Sequence, residues 1–307
     1  MAIYERGETY AHWVTIRDRD NTLVDPNTVN ITITDPCDFT LVDSQSMTSV
    51  STGKYYYYYD TIASSATYGR YKVKVESTSA SGQVGIYKEE FYVMPWNLTK
   101  DVRQITGASE TKDIDDDNLA DICWKAYLEA LRDVHEHHYK EIPNCDPKNG
   151  YGFNGTNTSF QTHHFPVADI NGDGTVTGNN TSCATDVKCW WIDEDGSWNH
   201  GVVVMDESRN GEIYIYQNDA ATAIPDDNEG VYLDYWSEYE TFDEDMFHNA
   251  VAHLAADMLV RRFKEADRVT MADLSSNIPI LIKDDRRFYR KYKQIINHIR
   301  RPRVGGV

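Results

Sequence analysis

Asp113-Ile114-Asp115-Asp116-Asp117-Asn118-Leu119 opens the stretch that decides the fold, and it continues as an apolar stripe to about Tyr139. Leu119, Ile122, Cys123, Ala126, Tyr127, Ala130 and Val134 recur at three- and four-residue steps, which places them on one face of a helix. Asp115, Asp116 and Asp117 stand where the positive end of a helix dipole favours anions, and Lys140 with the His137-His138 pair stands near the negative end. The pattern predicts an amphipathic helix of roughly 25 residues, long for a globular domain. One greasy face needs a partner.

The partner expected from the sequence lies about a hundred residues downstream, from Asp243 to Lys264. There Phe247, Ala250, Val251, Leu254 and Met258 form the stripe, and Thr241-Phe242-Asp243-Glu244 fits a capping box. Small residues Ala250, Ala255 and Ala256 permit close approach between helices. A last helix is expected from Asp284, with Phe288, Tyr292, Ile295, Ile296 and Ile299 on one side and arginines on the other. A basic tail, Arg301-Pro302-Arg303-Val304-Gly305-Gly306-Val307, follows it. Before the long helix, Pro95 marks a boundary, and a short helix through Val102 and Ile105 is expected, capped by Thr99 and closed by Gly107.

Between the two long helices, from about Glu141 to Glu240, the periodicity drops to two. Val202-Val203-Val204-Met205, Ile213-Tyr214-Ile215-Tyr216 and Val231-Tyr232-Leu233-Asp234-Tyr235 read as strands, with Asn210-Gly211 as a hairpin turn. Such a connection far exceeds the roughly 2–8 residues usual between antiparallel helices, so it should fold as its own unit. Residues 1 to about 94 alternate as well. Trp13-Val14-Thr15-Ile16-Arg17, Val29-Asn30-Ile31-Thr32-Ile33, Tyr71-Lys72-Val73-Lys74-Val75 and Glu90-Phe91-Tyr92-Val93 are separated by Asp, Asn, Pro and Gly turns. This spacing of short strands indicates an immunoglobulin-like β-sandwich. The five tyrosines Tyr55 to Tyr59 form one strand with aromatics on both faces. The expected class is therefore α+β and multidomain. A sandwich fills 1–95, a helical core is assembled from 96–142 and 241–307, and a β module fills 143–240.

Charge is distributed unevenly. The net charge is −19, yet Val260 to Val307 holds 13 basic against 5 acidic residues, +8, which leaves −27 for the rest. Polarity of this kind points to different neighbours at the two ends. No apolar run approaches the roughly 18 residues that span a bilayer, so no membrane partner is expected. Met1-Ala2-Ile3-Tyr4-Glu5-Arg6 lacks the basic and apolar regions of a signal peptide, and the chain is expected to work without export. The five cysteines show no C-x-x-C spacing for zinc; Cys123 reads as a buried thiol, and Cys183 could pair with Cys189, or one of them with Cys145.

The sharpest local motif is Asp169-Ile170-Asn171-Gly172-Asp173-Gly174-Thr175-Val176. Oxygens on Asp169, Asn171 and Asp173, the backbone carbonyl of Thr175 and the glycine at the sixth position match the first half of an EF-hand-type calcium loop. At position 12, Asn180 replaces the bidentate acid, so a structural calcium is expected rather than a sensor; an acidic turn without metal is the alternative. His135-Glu136-His137-His138 lacks H-E-x-x-H spacing and reads as a solvated helix end, although His135 and His138 could share a metal. His163-His164 reads as strand or loop, and Asp193-Glu194-Asp195-Gly196 as a hairpin turn. Neither a nucleophile elbow nor a phosphate-binding loop is present, and nothing in the sequence supports an enzyme. Arg286, Arg287, Arg290, Lys291, Lys293, Arg300, Arg301 and Arg303 form the basic end, suited to an acidic protein surface, to phosphates or to plain solvation.

Thr99-Lys100-Asp101-Val102-Arg103-Gln104-Ile105-Thr106-Gly107, then the acidic cap and long helix, then Phe247 to Phe263 and the basic final helix, resemble the head–tail connector (adaptor, or head-completion) proteins of tailed double-stranded DNA viruses. The resemblance covers about 98–142 and 241–300 and rests on pattern and order. Val14 to Val93, with Asp25-Pro26, Ser51-Thr52-Gly53-Lys54-Tyr55 and Gly69-Arg70-Tyr71, resembles immunoglobulin-like domains appended to virion proteins. The β insertion departs from the minimal family and is similar to decorated connectors. The resemblance implies a structural protein of the virion neck, assembled in the host cytoplasm as a ring, dodecameric in the family. Its implied partners are the portal protein, tail or neck proteins and further copies of itself, and the basic segment docks on the portal or touches passing viral DNA. Two other classes remain open. A tail or neck fibre-anchoring protein would not need the helical pair, and a calcium-dependent adhesin or glycan-binding module should carry an export signal.

Overall fold

The computed structural model describes residues 2–59, 62, 66–109, 113–145, 158–170, 176–179, 186–193, 195–207, 211–217, 223, 228–238, 243–265 and 286–300. The chain is mixed α+β and divides into two compact units, Met1–Trp124 with Phe263–Leu281, and Lys125–Arg262 with Ile282–Val307.

In the first unit, Ile3–Tyr4 (β1), Tyr10–Thr15 (β2), Thr28–Thr34 (β3), Thr40–Ser46 (β4), Thr48–Ser51 (β5), Lys54–Tyr59 (β6), Gly69–Thr78 (β7) and Val84–Val93 (β8) form two sheets. One runs β1-β8-β7-β3-β4 and the other β2-β6-β5. Alternation makes these strands: Val29, Ile31 and Ile33 are buried while Asn30 and Thr32 are only half-buried. A single cluster draws on both sheets, with Tyr10 and Tyr55 meeting Ile31, Ile33, Tyr71, Val73, Val75 and Phe91. The Phe91 ring stacks on Tyr10 at 4.2 Å and on Tyr71 at 5.0 Å. Side-chain oxygens close the turns, as where Asp18 Oδ1 accepts the amides of Asp20 and Thr22. The tyrosine strand is two-faced as expected. Tyr55, Tyr57 and Tyr59 turn to the core, whereas Tyr56 packs beside Trp13 and Tyr58 on the other side.

Two helical segments follow these sheets in the chain, and the second runs from the first unit into the second, which begins at Lys125. Leu98–Thr106 (α1) starts after Asn97 without a side-chain cap, because Thr99 donates its hydroxyl to Asn97 Oδ1 instead of closing the helix. Gly107 ends it in the left-handed conformation (φ 70°), as expected. Asp116–Val134 (α2) is capped by Asp115, whose Oδ1 accepts the Asn118 amide at 2.7 Å. The predicted stripe is buried throughout, from Leu119 to Val134. Arg103 ties α1 to the start of α2 through Asp116 at 2.6 Å and the Ile114 carbonyl at 2.9 Å.

The long helix stops five residues short of its expected end. His135–Glu141 is a strand (β9) and pairs antiparallel with Asn228–Glu238 (β16), from His135 opposite Glu238 onward. The sequence there is almost wholly polar and carries no apolar period of two, so it is the ladder onto β16 that makes the strand. His135 is consequently buried, and its Nδ1 lies 2.9 Å from the Leu131 carbonyl at the helix end, so the reading of the His135 cluster as a solvated helix terminus is overturned. The β structure thus begins at His135 rather than near Pro143.

Strands β9 and β16 lie in the second unit, whose other strands are Asn144–Cys145 (β10), Ser159–Gln161 (β11), Thr177–Asn179 (β12), Val187–Asp193 (β13), Trp198–Glu207 (β14) and Glu212–Tyr216 (β15). The sheet runs β10-β11-β15-β14-β13-β16-β9, with β12 pairing β14. Strand β13 was not among the expected strands, yet it lies between β14 and β16 with Val187, Cys189 and Trp191 in the core. Cys189 is a buried thiol, so it forms no disulfide with Cys183 or Cys145; burial pushes its pKa up to about 12.

Glu244–Glu265 (α3) and Arg287–Ile299 (α4) finish the second unit. Asp243 caps α3 by accepting the Met246 amide at 2.8 Å, two residues later than the hydroxyl cap of the expected box; Thr241 lies outside the described residues, as does Asp284. Within this unit Tyr127 of α2 meets Phe247 of α3 at 6.1 Å, and His253 of α3 meets Phe288 of α4 at 6.3 Å. The predicted apolar side of α4, Phe288, Tyr292, Ile295, Ile296 and Ile299, is buried. No helix among the described residues is long and apolar enough to cross a membrane.

Candidate functional site

The basic helix divides its charges between two tasks. Arg286, Arg287, Arg290 and Lys291 are exposed along α4, while Lys293 and Arg300 turn inward. Lys293 Nζ donates to Asp133 Oδ2 at 2.8 Å, the Tyr292 hydroxyl donates to the same oxygen at 2.6 Å, and Arg300 reaches both the carboxylate and the carbonyl of Asp133. Burial alone would raise the Asp133 pKa, but the hydrogen bonds from Lys293 and Tyr292 and the two cations outweigh it and hold the carboxyl below its usual range. Lys293 is moved the other way: burial lowers its pKa, and Asp133 more than restores it, for a net rise. The eight basic residues are therefore not one surface. Arg301 and Arg303 lie outside the described residues.

Of the loop expected to hold calcium, Asp169 is described and half-buried, beside Ile170, whose amide donates to the buried Asp186 carboxylate at 2.9 Å. Asn171, Asp173 and Thr175 lie outside the described residues. The expected hairpin turn after Asp193 carries Gly196 at φ 81° and Asp195 Oδ1 accepting the Ser197 amide at 2.9 Å. The other expected turn keeps Gly211 at φ 69°, with Asn210 outside the described residues.

A cluster that the sequence reading kept apart comes together on β9. His138, Glu141 and His164 each direct a ligand-type atom to within 4.8 Å of the others. On a regular strand, residues three apart face opposite ways. Here Tyr139 pairs with Asp234 and Glu141 with Leu233, so Lys140 is an extra residue, a β-bulge held at φ 57°. The bulge returns Glu141 to the His138 face and sends the Lys140 ammonium toward the Tyr139 and Trp198 rings. On β16, Tyr235 and Ser237 share that face. Tyr235 donates its hydroxyl to both Glu141 oxygens at 2.7 Å, and Ser237 Oγ lies 2.8 Å from His138 Nε2.

The loop after β11 supplies the third member. The His163 amide donates to Glu141 Oε1 at 2.7 Å, and the His164 amide donates to the Tyr235 hydroxyl at 3.2 Å. The His138 and His164 rings stack at 3.9 Å with 5° between their planes. Burial of His138, and then the neighbouring His164, lower its pKa, which keeps the imidazole neutral and its lone pair available. His135, which the sequence offered only as the weaker candidate to share a metal with His138, sits instead at the end of α2.

No described protein family matches the chain, and no curated protein is similar to it. Among solved structures, one similar chain is a tetra-tandem repeat in the extending region of a large adhesion protein, 15% identical with a TM-score of 0.24. The match covers 66% of this chain and 35% of that one, and at such a score it carries no argument.

Proposed function

We propose that the chain is a structural head–tail connector of a tailed double-stranded DNA virus, without enzymatic activity. The observation that carries the proposal is helix α4. Its apolar side is buried, Lys293 and Arg300 clamp it to Asp133 of α2, and Arg286, Arg287, Arg290 and Lys291 remain exposed on a chain whose other residues are strongly acidic. A helix fixed in this way presents a cationic row at a defined place, which suits docking to an acidic ring such as a portal, with viral DNA as a passing contact. In this reading the two N-terminal sheets are an immunoglobulin-like sandwich turned toward neck or tail proteins. The eight-stranded sheet is the module inserted between α2 and α3, and the Asp169 loop is its structural calcium site.

Native mass spectrometry of the chain, alone and with the portal, tests the reading. A ring, dodecameric by the family pattern, should form on the portal, and Arg287→Glu with Arg290→Glu should abolish it. A stable monomer that ignores the portal overturns the proposal. The calcium assignment is tested separately. Calcium should raise the melting temperature of the stripped chain, and the rise should vanish in Asp169→Ala with Asp173→Ala; no rise in the parent chain removes the assignment.

A further inference from the structure

The geometry points to a binding site for a divalent first-row transition ion, zinc being the reference ion, formed by His138, Glu141 and His164. The site stands independently of the connector reading and differs from the Asp169 loop in donor chemistry. Two imidazoles and one carboxylate are the donor set of three-ligand zinc centres, which leave a fourth position to water, whereas calcium takes six to eight oxygens.

Three features make the cluster a built site rather than a chance meeting of side chains. The first is the bulge. Lys140 occupies the left-handed region, which costs a side-chain-bearing residue roughly 1–2 kcal/mol, and the result is that Glu141 shares a face with His138. Bulges of this kind commonly re-aim a side chain into a site.

The second is the outer layer. Ligand groups in metal centres are held by hydrogen bonds of their own. Glu141, with a side chain 10% exposed, accepts the hydroxyl of the fully buried Tyr235 on both oxygens and the His163 amide on one. Ser237, buried opposite Glu136, holds Nε2 of His138. When that nitrogen carries the donated proton, Nδ1 offers the lone pair.

The third is that the remaining adjustment is small and falls on the member free to make it. Zinc–nitrogen and zinc–oxygen bonds near 2 Å place tetrahedral ligand atoms about 3.3 Å apart. The three atoms must therefore close in from their present spread, which is at most 4.8 Å. The stacked rings are parallel, so their in-plane lone pairs cannot meet at one point until one ring turns. His164 can turn: its side chain is 52% exposed and lies on a loop, while its backbone amide keeps the Tyr235 contact.

Isothermal titration of the full, chelator-stripped chain with zinc chloride is the test, with cobalt(II) as the optical probe. One zinc per chain is expected, together with visible cobalt bands of a four- or five-coordinate N/O site. His164→Ala, a change at an exposed position, should weaken zinc binding at least about tenfold, since even the loss of an outer-layer partner costs about that much. Glu141→Gln should do the same and bleach the cobalt bands, whereas His163→Ala should bind as the parent does. Circular dichroism and melting temperature of His164→Ala in the absence of metal should match the parent. Absence of saturable zinc uptake overturns the site, and so does stoichiometric uptake that survives both His164→Ala and Glu141→Gln.

Discussion

Asp133 is the residue on which the presentation of the basic helix turns, and Asp133→Ala tests it. The carboxylate side chain is 27% exposed, whereas Tyr292, which donates to it, is fully buried. Truncation leaves the Tyr292 hydroxyl without that acceptor, at a cost of about 1–3 kcal/mol for a buried donor. The Lys293 and Arg300 pairs are partly exposed and screened, and add about 0.2–1 kcal/mol each. The summed loss is about 1.5–5 kcal/mol. Urea unfolding should register it, and amide exchange should show α4 opening faster. Tyr292→Phe separates the terms: combined with Asp133→Ala it removes the hydroxyl and its acceptor together, so the double variant should lose measurably less than the sum of the two single losses, with a coupling near 1 kcal/mol. A loss below about 0.5 kcal/mol, the size of ordinary surface changes, would refute the clamp.

The pH dependence follows from the same contacts. The depressed Asp133 pKa contributes stability that is present above its unfolded value of 3.8 and is lost as pH falls through the lower folded value; the raised Lys293 pKa contributes stability that is present below 10.5 and is lost as pH rises through the folded value. Asp133→Ala should flatten both limbs of the melting-temperature profile. Reversing Arg286, Arg287, Arg290 and Lys291 to glutamate should change unfolding by no more than about 0.5 kcal/mol for each change while abolishing assembly, because these side chains are exposed. Gly53→Ala should destabilise by more than about 1 kcal/mol: φ is 69°, and an added Cβ would stand 2.6 Å from the Ile16 carbonyl oxygen. Lys140→Gly should be neutral or stabilising by up to about 1 kcal/mol, since relief of the left-handed backbone is offset by added freedom in the unfolded chain. A marked loss of stability there would mean that the Lys140 side chain, not its backbone, is what the bulge requires.

Much of the secondary structure was legible because burial imposes a period. Val29, Ile31 and Ile33 announce a strand, and Leu119 through Val134 a helix, by spacing alone. The end of α2 was missed because the residues beyond it carry no apolar period. His135-Glu136-His137-His138-Tyr139 continues the helical polarity, and only pairing with β16, a stretch almost a hundred residues away, makes it a strand. Strand β13 turns Val187, Cys189 and Trp191 to the core, but Trp190 and Ile192 at the outward positions blur its period of two.

The His138 cluster was illegible for a different physical reason. Ligand spacing is readable when one regular element supplies the ligands, as two histidines four apart on a helix do. Here an inserted residue cancels the strand's alternation between His138 and Glu141, and the third member arrives on a loop more than twenty residues on. The one local clue is chemical: Glu141 is an acid beside the fully buried Tyr235, whose hydroxyl needs a partner. A buried hydroxyl aimed at a carboxylate can serve a fold or a ligand equally well. Tyr235→Phe distinguishes them, because a purely structural bond would leave any zinc affinity untouched, whereas an outer-layer role predicts a loss of about tenfold.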